Sequence, residues 1–399
     1  MPDPAELATT PAAVDAAAFG ADGAGTLQRA LWATRLQFAC LGLVLGAWGA
    51  HVPSAKARFA LDEAQLSLLL LAAAAGTISC LFLAGRSVAW LGVRGAALAS
   101  MLLLCIGLGS VLVMPNLAAA CVAMLLFGAA SSLFDMAINA EGSALETLGG
   151  RPVMSGLHAM FSVGGMLGAA ANGALLQAGV EPAWQLAGTA LATALLSLLA
   201  VRRMLPAHPQ AAADEASFAW PRGPLLLIGL LILAGMTCEG VMYDWSVLYM
   251  KQELGQPQGF ATLAYTSFAG AMALARFGGD SLRARVPARR LLGGGSAIAA
   301  VAVAVALLAG NAWLALVGFA IAGAGLANVA PVLFAAATRV PGVSRAAGLA
   351  AATSIGYGGF MLGPPLIGGL AQATNLTMAL GVLVIAAVLL ALGARSVPT

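Results

Sequence analysis

The chain is predicted to be an all-α polytopic membrane protein, with twelve transmembrane helices in two pseudo-symmetric six-helix bundles. Three observations predict it. The 399 residues are 61% hydrophobic, and 19 basic plus 16 acidic side chains are too few to clothe a soluble body of that size. Apolar stretches of roughly 20 residues, the length that crosses a bilayer core, recur from Leu31 onward with short interruptions. Finally, residues 166–178 and 361–373 both read Met-Leu-Gly-x-x-x-x-Gly-x-Leu-x-Gln-Ala, 195 positions apart. Backbone groups in hydrocarbon must be hydrogen-bonded internally, and these stretches are too long and too evenly apolar for barrel strands, so each is read as a helix.

The first 28 residues hold four acids and no base, and without a basic start and apolar run they read as a disordered cytosolic tail rather than a signal peptide. Six spans follow in residues 29–203, at approximately 30–52, 64–85, 95–113, 117–145, 154–180 and 183–203. The central cytoplasmic linker, 204–223, is marked by Pro206, Pro209, Pro221, Asp214 and Glu215. Six more spans fill 224–399, at approximately 224–250, 259–282, 290–309, 312–336, 344–372 and 375–394. Six is even, so both halves enter the membrane from the same side and form parallel repeats, the fifth span matching the eleventh and the first the seventh. Glycines of the fifth and eleventh spans (Gly164, Gly165, Gly168, Gly173; Gly356, Gly358, Gly359, Gly363, Gly368) allow close helix approach, and hinge motion as a second role.

With the amino terminus inside, 16 of the 19 Lys and Arg residues fall on the cytoplasmic side, leaving Lys56, Arg58 and Lys251 outside. The net charge of +3 therefore describes topology and attraction to an anionic leaflet, and a nucleic-acid partner finds no support. Cys40, Cys80, Cys105, Cys121 and Cys238 fall singly within spans, without ligand spacing, and read as packing residues with no metal site. No Walker motif and no nucleophile-and-base or His-Glu-x-x-His set is present, so neither ATP drive, nor a cofactor, nor an enzyme is expected.

An ionisable group at mid-membrane costs about 2.5–3.5 kcal/mol or more, so each one inside a span is a candidate for lining a polar path. Asp135 lies roughly 27 Å along the fourth span, and Glu239 and Asp244 roughly 21 and 28 Å along the seventh, so the groups straddle the midplane. Ser131, Asp135, Asn139 and Gly142 share one helix face, as do Glu239 and Tyr243. A proton or substrate carboxylate is expected at Asp135 and Glu239. Asp244 is expected on the same path or, in a plainer reading, as an outer-end contact of Lys56 or Arg58. His158 is expected beside Glu141, a pair able to titrate. Glu141 itself, near the inner end, suits a latch. Trp48 and Tyr357 are the aromatic groups expected in the cavity, while Trp90, Trp184, Trp220 and Trp313 read as interfacial anchors. His51 and His208 read as solvated.

Twelve spans as six plus six, with a central loop and Arg-containing loops after the second and eighth spans, resemble the major facilitator superfamily over nearly the whole chain after residue 28. More narrowly, Phe134-Asp-Met-Ala-Ile-Asn139-Ala-Glu141-Gly, Glu239-Gly-Val-Met-Tyr-Asp244-Trp245 and Gly363-Pro364-Pro365-Leu-Ile-Gly368 resemble its bacterial YbjJ-type branch, related to fucose permease-like carriers. The family's loop after the second span reads Gly-x-x-x-Asp-Arg-x-Gly-x-Arg. Here Gly85, Gly92 and Arg94 match, but Ala89 stands where the Asp belongs. The loop after the eighth span keeps Asp280, Arg283 and Arg285, so the resemblance implies a cytoplasmic latch resting mainly on the second half. The fifth span lacks the Gly-Pro pair associated with antiport, which leaves direction open.

The resemblance implies a multi-pass protein of the bacterial inner membrane with both termini cytoplasmic, working as a monomer. The function expected is proton-coupled secondary transport of a small polar or amphipathic solute by alternating access. An uncoupled facilitator, or a membrane sensor or assembly protein on a transporter fold, is the alternative.

Overall fold

The computed structural model describes residues 23–208 and 220–397, apart from the side chains of Phe82 and Asp280. Every regular element among them is helical. In the first half these are α1 (Gly23–Arg58), α2 (Glu63–Ser110), α3 (Leu117–Gly149), α4 (Met154–Gln177) and α5 (Pro182–Val201). The second half comprises α6 (Pro224–Gln252), the short α7 (Gln258–Ala261), α8 (Leu263–Arg285), α9 (Ala288–Ala309), α10 (Ala312–Leu326), α11 (Val329–Ala337), α12 (Arg345–Ala373) and α13 (Leu376–Gly393). Spans two and three run together as α2, broken only at Gly92, whose φ of 69° a side chain would resist. The tenth span is α10 plus α11. Residues 1–22 of the expected tail and 209–219 of the linker lie outside the described residues, while positions 23–28, assigned above to the tail, are already the first turns of α1.

Helix starts follow local chemistry. Asp62 and Gln65 form a reciprocal capping box at α2. Asn116, Asn311 and Asn375 each accept a backbone N–H in the first turn of α3, α10 and α13, and Pro182 and Pro224 open α5 and α6. Asn116 and Asn311 stand 195 positions apart, the same offset as the Met-Leu-Gly repeat.

The repeat has a packing cause. Gly168 of α4 lies so close to the Leu43 carbonyl of α1 that a Cβ would collide with it, and Gly363 of α12 faces Val241 of α6 at 3.5 Å. Five residues on, Gly173 meets Thr262 and Gly259 of the other half, and Gly368 meets Ser67 and the Glu63 carbonyl of the other half. One glycine of each copy thus seats the helix on the first span of its own bundle, and the next seats it on the second span of the opposite bundle. A side chain would strike the Leu43 carbonyl at Gly168, Thr262 at Gly173 and Ser67 at Gly368, whereas at Gly363 a Cβ would make only ordinary contact with Val241.

Ten helical stretches are long and apolar enough to cross a membrane by length and composition. The remaining two crossings, α8 and α12, are enriched in Gly, Thr, Ser or Arg. Their polarity follows from position, because α8 packs on α4 and α12 on α2 between the halves, turned toward protein rather than lipid. Leu102, Leu103, Ile106, Leu195, Leu199, Val305, Leu308, Ile385 and Leu389 on α2, α5, α9 and α13 form an exposed apolar belt, as a multi-pass membrane protein requires. Trp90, Trp184, Trp220 and Trp313 are exposed as anchors would be.

The two halves meet tightly at the face opposite the chain termini. Gln258 donates to the Ala50 carbonyl at 3.0 Å and to Ser54 Oγ at 2.7 Å, Gln252 reaches Glu63 at 3.4 Å, and Tyr265 packs on Gly49.

Candidate transport cavity

Between the halves lies a cavity of about 350 Å³. Helical spacing of three to four residues aims its lining inward. From the first half come Leu41, Leu45 and Trp48 of α1, Ser131, Ser132 and Asp135 of α3, and His158 and Phe161 of α4. The second half adds Glu239, Tyr243 and Asp244 of α6, Tyr265 and Arg276 of α8, and Tyr357 and Phe360 of α12. Aromatic rings pave much of it: Tyr243 stacks on Tyr265 with centroids 4.8 Å apart and meets Phe268 edge-on at 5.4 Å, and Trp48 leans on Phe127 at 6.4 Å.

The charged groups are distributed unevenly. Arg276 Nη2 donates to both Glu239 oxygens, at 3.2 and 3.3 Å, and Nη1 donates to Ser162 Oγ of α4 at 2.9 Å. One guanidinium thus satisfies a carboxylate of its own half and ties that half to the other. Asp135 accepts a hydrogen bond from Asn139 Nδ2 at 3.0 Å, and the same amide nitrogen donates to the Asp135 carbonyl at 2.8 Å. Asp244 has no hydrogen-bond or ion-pair partner among the described residues. Leaving a carboxylate unpaired inside a helix bundle costs several kcal/mol unless a ligand, water or proton answers it.

No family profile matches the chain. An uncharacterized MFS-type transporter of Yersinia pestis is 35% identical over 91% of this chain and 94% of its own length. The chain belongs to the major facilitator superfamily. Membrane protein MosC of Rhizobium meliloti is 31% identical, covering 87% of this chain and 85% of that protein. Among solved structures, a nucleoside transporter, NupG, superposes with a TM-score of 0.72 at 15% identity over 93% of this chain and 99% of that one. A bacterial homologue of the human lysosomal transporter Spinster, inward-facing and unoccupied, reaches 0.69 at 17% over 93% and 98%. The fucose:proton symporter of E. coli reaches 0.64 at 16% over 92% and 98%. These three share the superfamily fold.

Of the residues expected on the path, Asp135, Glu239, Tyr243, Asp244, Trp48, Tyr357 and His158 all line the one cavity, while Asn139 stands behind Asp135 as its hydrogen-bond donor. Two pairings and two solvated positions differ from expectation. His158 does not meet Glu141. Its ring packs edge-on against Phe38 at 5.2 Å, and Glu141, fully buried, instead pairs with His208 and accepts the Leu205 N–H at 2.6 Å. Nor does Asp244 reach Lys56 or Arg58, because Lys56 is taken by Glu63 and Arg58 by the Met114 carbonyl. His208 is therefore bound rather than solvated. His51 is fully buried: Nε2 faces Asn172 Oδ1 and Gln185 Oε1, each at 3.2 Å, and Nδ1 faces Ser54 Oγ at 3.0 Å. Two amide oxygens at Nε2 place the proton there, so Ser54 donates to Nδ1.

The residues expected in a latch divide by half. Arg94 donates to the Met204 carbonyl, so with Glu141 it fastens the start of the central linker to the first bundle. Gly85 is exposed with open space around it and makes no close approach. Arg283 crosses between halves, donating to Ser155 Oγ of α4 at 2.8 Å and to Asn328 Oδ1 at 3.0 Å. Arg285 is exposed, and the Asp280 side chain lies outside the described residues.

Arg276 went unrecognised in the sequence, where it was counted among the inner basic residues that set topology. Its signal was its depth: nine residues before Arg285 and inside the apolar part of the eighth span, it lies about 14 Å from the helix end at 1.5 Å per residue. His51 carried a fainter signal, since Asn172 and Gln185 are polar residues at the same membrane face of the fifth and sixth spans.

Proposed function

We propose that the chain is a secondary active transporter that carries a small polar or amphipathic solute across the bacterial inner membrane by alternating access, with proton coupling. The observation that carries this reading is the cavity between the halves, which gathers Asp135, Glu239, Asp244 and Arg276 from three helices of both bundles. Mid-membrane charge is costly, and in a transporter it marks the substrate and proton route. Glu239 and Arg276 form the natural coupling pair, because protonating the carboxylate leaves the guanidinium that joins the halves through Ser162 without its counter-charge. Asp135 is the second proton or substrate carboxylate. Tyr243, Trp48, Tyr357 and His158 shape the path, with Asn139 orienting Asp135.

With the termini on the cytoplasmic side, the tight face at Gln258, Gly173 and Gly368 is external. Arg283, with Asp280 and Arg285, then belongs to the internal gate, and Glu141, Arg94 and Gly85 to the linker side of it.

The test begins with a melting screen of purified protein against sugars, amino acids, organic acids and amines, since a ligand at about 100 times its Kd stabilises by roughly 2.7 kcal/mol. A hit is then followed into proteoliposomes under an imposed pH gradient. Gradient-driven accumulation is expected in the unmutated protein. In Asp135→Asn or Glu239→Gln accumulation is lost while downhill exchange persists. Flux indifferent to the gradient would make the protein an uncoupled facilitator, and binding without flux would favour a sensor.

A further inference from the structure

The cavity's charges do not balance, and the imbalance points to the cargo. Three carboxylates line it against one guanidinium, and that guanidinium is occupied by Glu239 and Ser162. An anion entering this space would have to displace Glu239 from Arg276 and then sit among three carboxylates in a medium of low dielectric, where like charges repel strongly. A cation meets the opposite situation. Asp244 offers an unpartnered carboxylate, and Asp135, on the facing bundle, spends one oxygen on Asn139 and keeps the other.

Tyrosines share the cavity with these acids: Tyr243 and Tyr265 on the side of Asp244's bundle, and Tyr357 of α12. Tyr243, Tyr357 and Phe360, half-buried in the cavity wall, present ring surfaces of the kind that hold both a flat apolar body and an ammonium head. At about 350 Å³ the space sits near the lower end for small-molecule sites, which restricts the guest to a compact one.

We infer that the solute is a compact organic cation, an ammonium on an aromatic or cyclic apolar body, with its charge against Asp244 and Asp135 and its body on the rings of Tyr243 and Tyr357. This rests on the transport reading above and specifies its substrate class.

The experiment titrates the full-length protein in detergent with four matched probes: 2-phenylethylamine, its trimethylammonium analogue, 2-phenylethanol and 3-phenylpropanoate. Calorimetry is expected to show the two cations binding at least tenfold tighter than the alcohol, and the carboxylate not at all. Asp244→Asn should lower ammonium affinity at least tenfold while leaving that of the alcohol unchanged, which also certifies a folded cavity. Should that variant fail to fold, Asp135→Asn serves the same comparison.

Alcohol or carboxylate binding as tight as the ammonium, or no ammonium binding, overturns the inference. So does ammonium affinity that both substitutions leave intact. A carboxylate that binds and is carried by vesicles under a pH gradient removes the cation and leaves secondary transport standing. A cation that binds as expected but is never carried keeps the site and removes transport.

Discussion

Arg276→Met is the most informative single perturbation, because it separates a charge pair from its surroundings at the seam of the molecule. The substitution preserves most of the side-chain volume but leaves Glu239 facing the cavity without its counter-charge. Removing one partner of a buried pair costs about 3–5 kcal/mol, and with Arg276 11% and Glu239 19% exposed, partial solvation sets the expectation near the lower figure. The lost bond to Ser162 Oγ adds about 1 kcal/mol. Glu239→Gln alone keeps Arg276 bound to Ser162 and should cost about 1.5–3 kcal/mol, the range for a hydrogen bond to a charged group. The double variant holds neither charge, and its loss should fall within about 1 kcal/mol of wild type, since neutral replacements of a buried pair are often tolerated. Reversible unfolding in mixed detergent, followed by tryptophan fluorescence, gives all four corners of the cycle. A double variant whose loss equals the sum of the single ones would mean that the two groups do not interact, and the coupling role proposed for them would fall with it.

Other outcomes follow from the packing. Gly128→Ala puts a Cβ into the Ala73 carbonyl of the neighbouring helix, where backbone cannot yield, and should cost about 1–3 kcal/mol or more in thermal melts, whereas Gly188→Ala, in open space, should be neutral or slightly stabilising. Glu141→Ala strips the Leu205 N–H and His208 of their acceptor, and tryptic cleavage at Arg202, Arg203 or Arg222 should become several-fold faster; an unchanged rate would show that the linker is held elsewhere. Gly173→Leu wedges α4 away from Thr262 and Gly259, so a cavity cysteine introduced as Phe360→Cys in a cysteine-free background should gain reactivity toward an impermeant maleimide added at that face. No gain would remove the assignment of this contact as a gate.

How much was legible in the sequence depends on whether a feature is local or relational. The repeat was legible because each copy carries two glycines that face the same two neighbouring spans, so the packing is written into spacing that a reader can match. Asp135, Glu239, Tyr243 and Trp48 were legible because a polar or amphipathic group in an apolar span has few places to face. Partners were not. Glu141 lies a short loop away from His158 in sequence, yet His208, 67 positions distant, takes its carboxylate, because the linker folds back under α3. Arg276 was hidden by a sum: counted by side of the membrane, it looked like one more inner basic residue, and only its depth along α8 set it apart. His51 at a helix end looked wet until Asn172 and Gln185, from helices whose adjacency no spacing reveals, were seen to enclose it.

The polar bonds that cross between the halves at the face opposite the termini are made by amides: Gln258 on Ser54 and the Ala50 carbonyl, with Ser54 backed by His51 within the first half, and Gln252 on Glu63. A neutral hydrogen bond given up to water loses only about 0.5–1.5 kcal/mol, because the solvent offers each group a replacement. Closure of this kind holds the door without bolting it. It also answers weakly to ionic strength, since screening acts on charges and few charges span the joint.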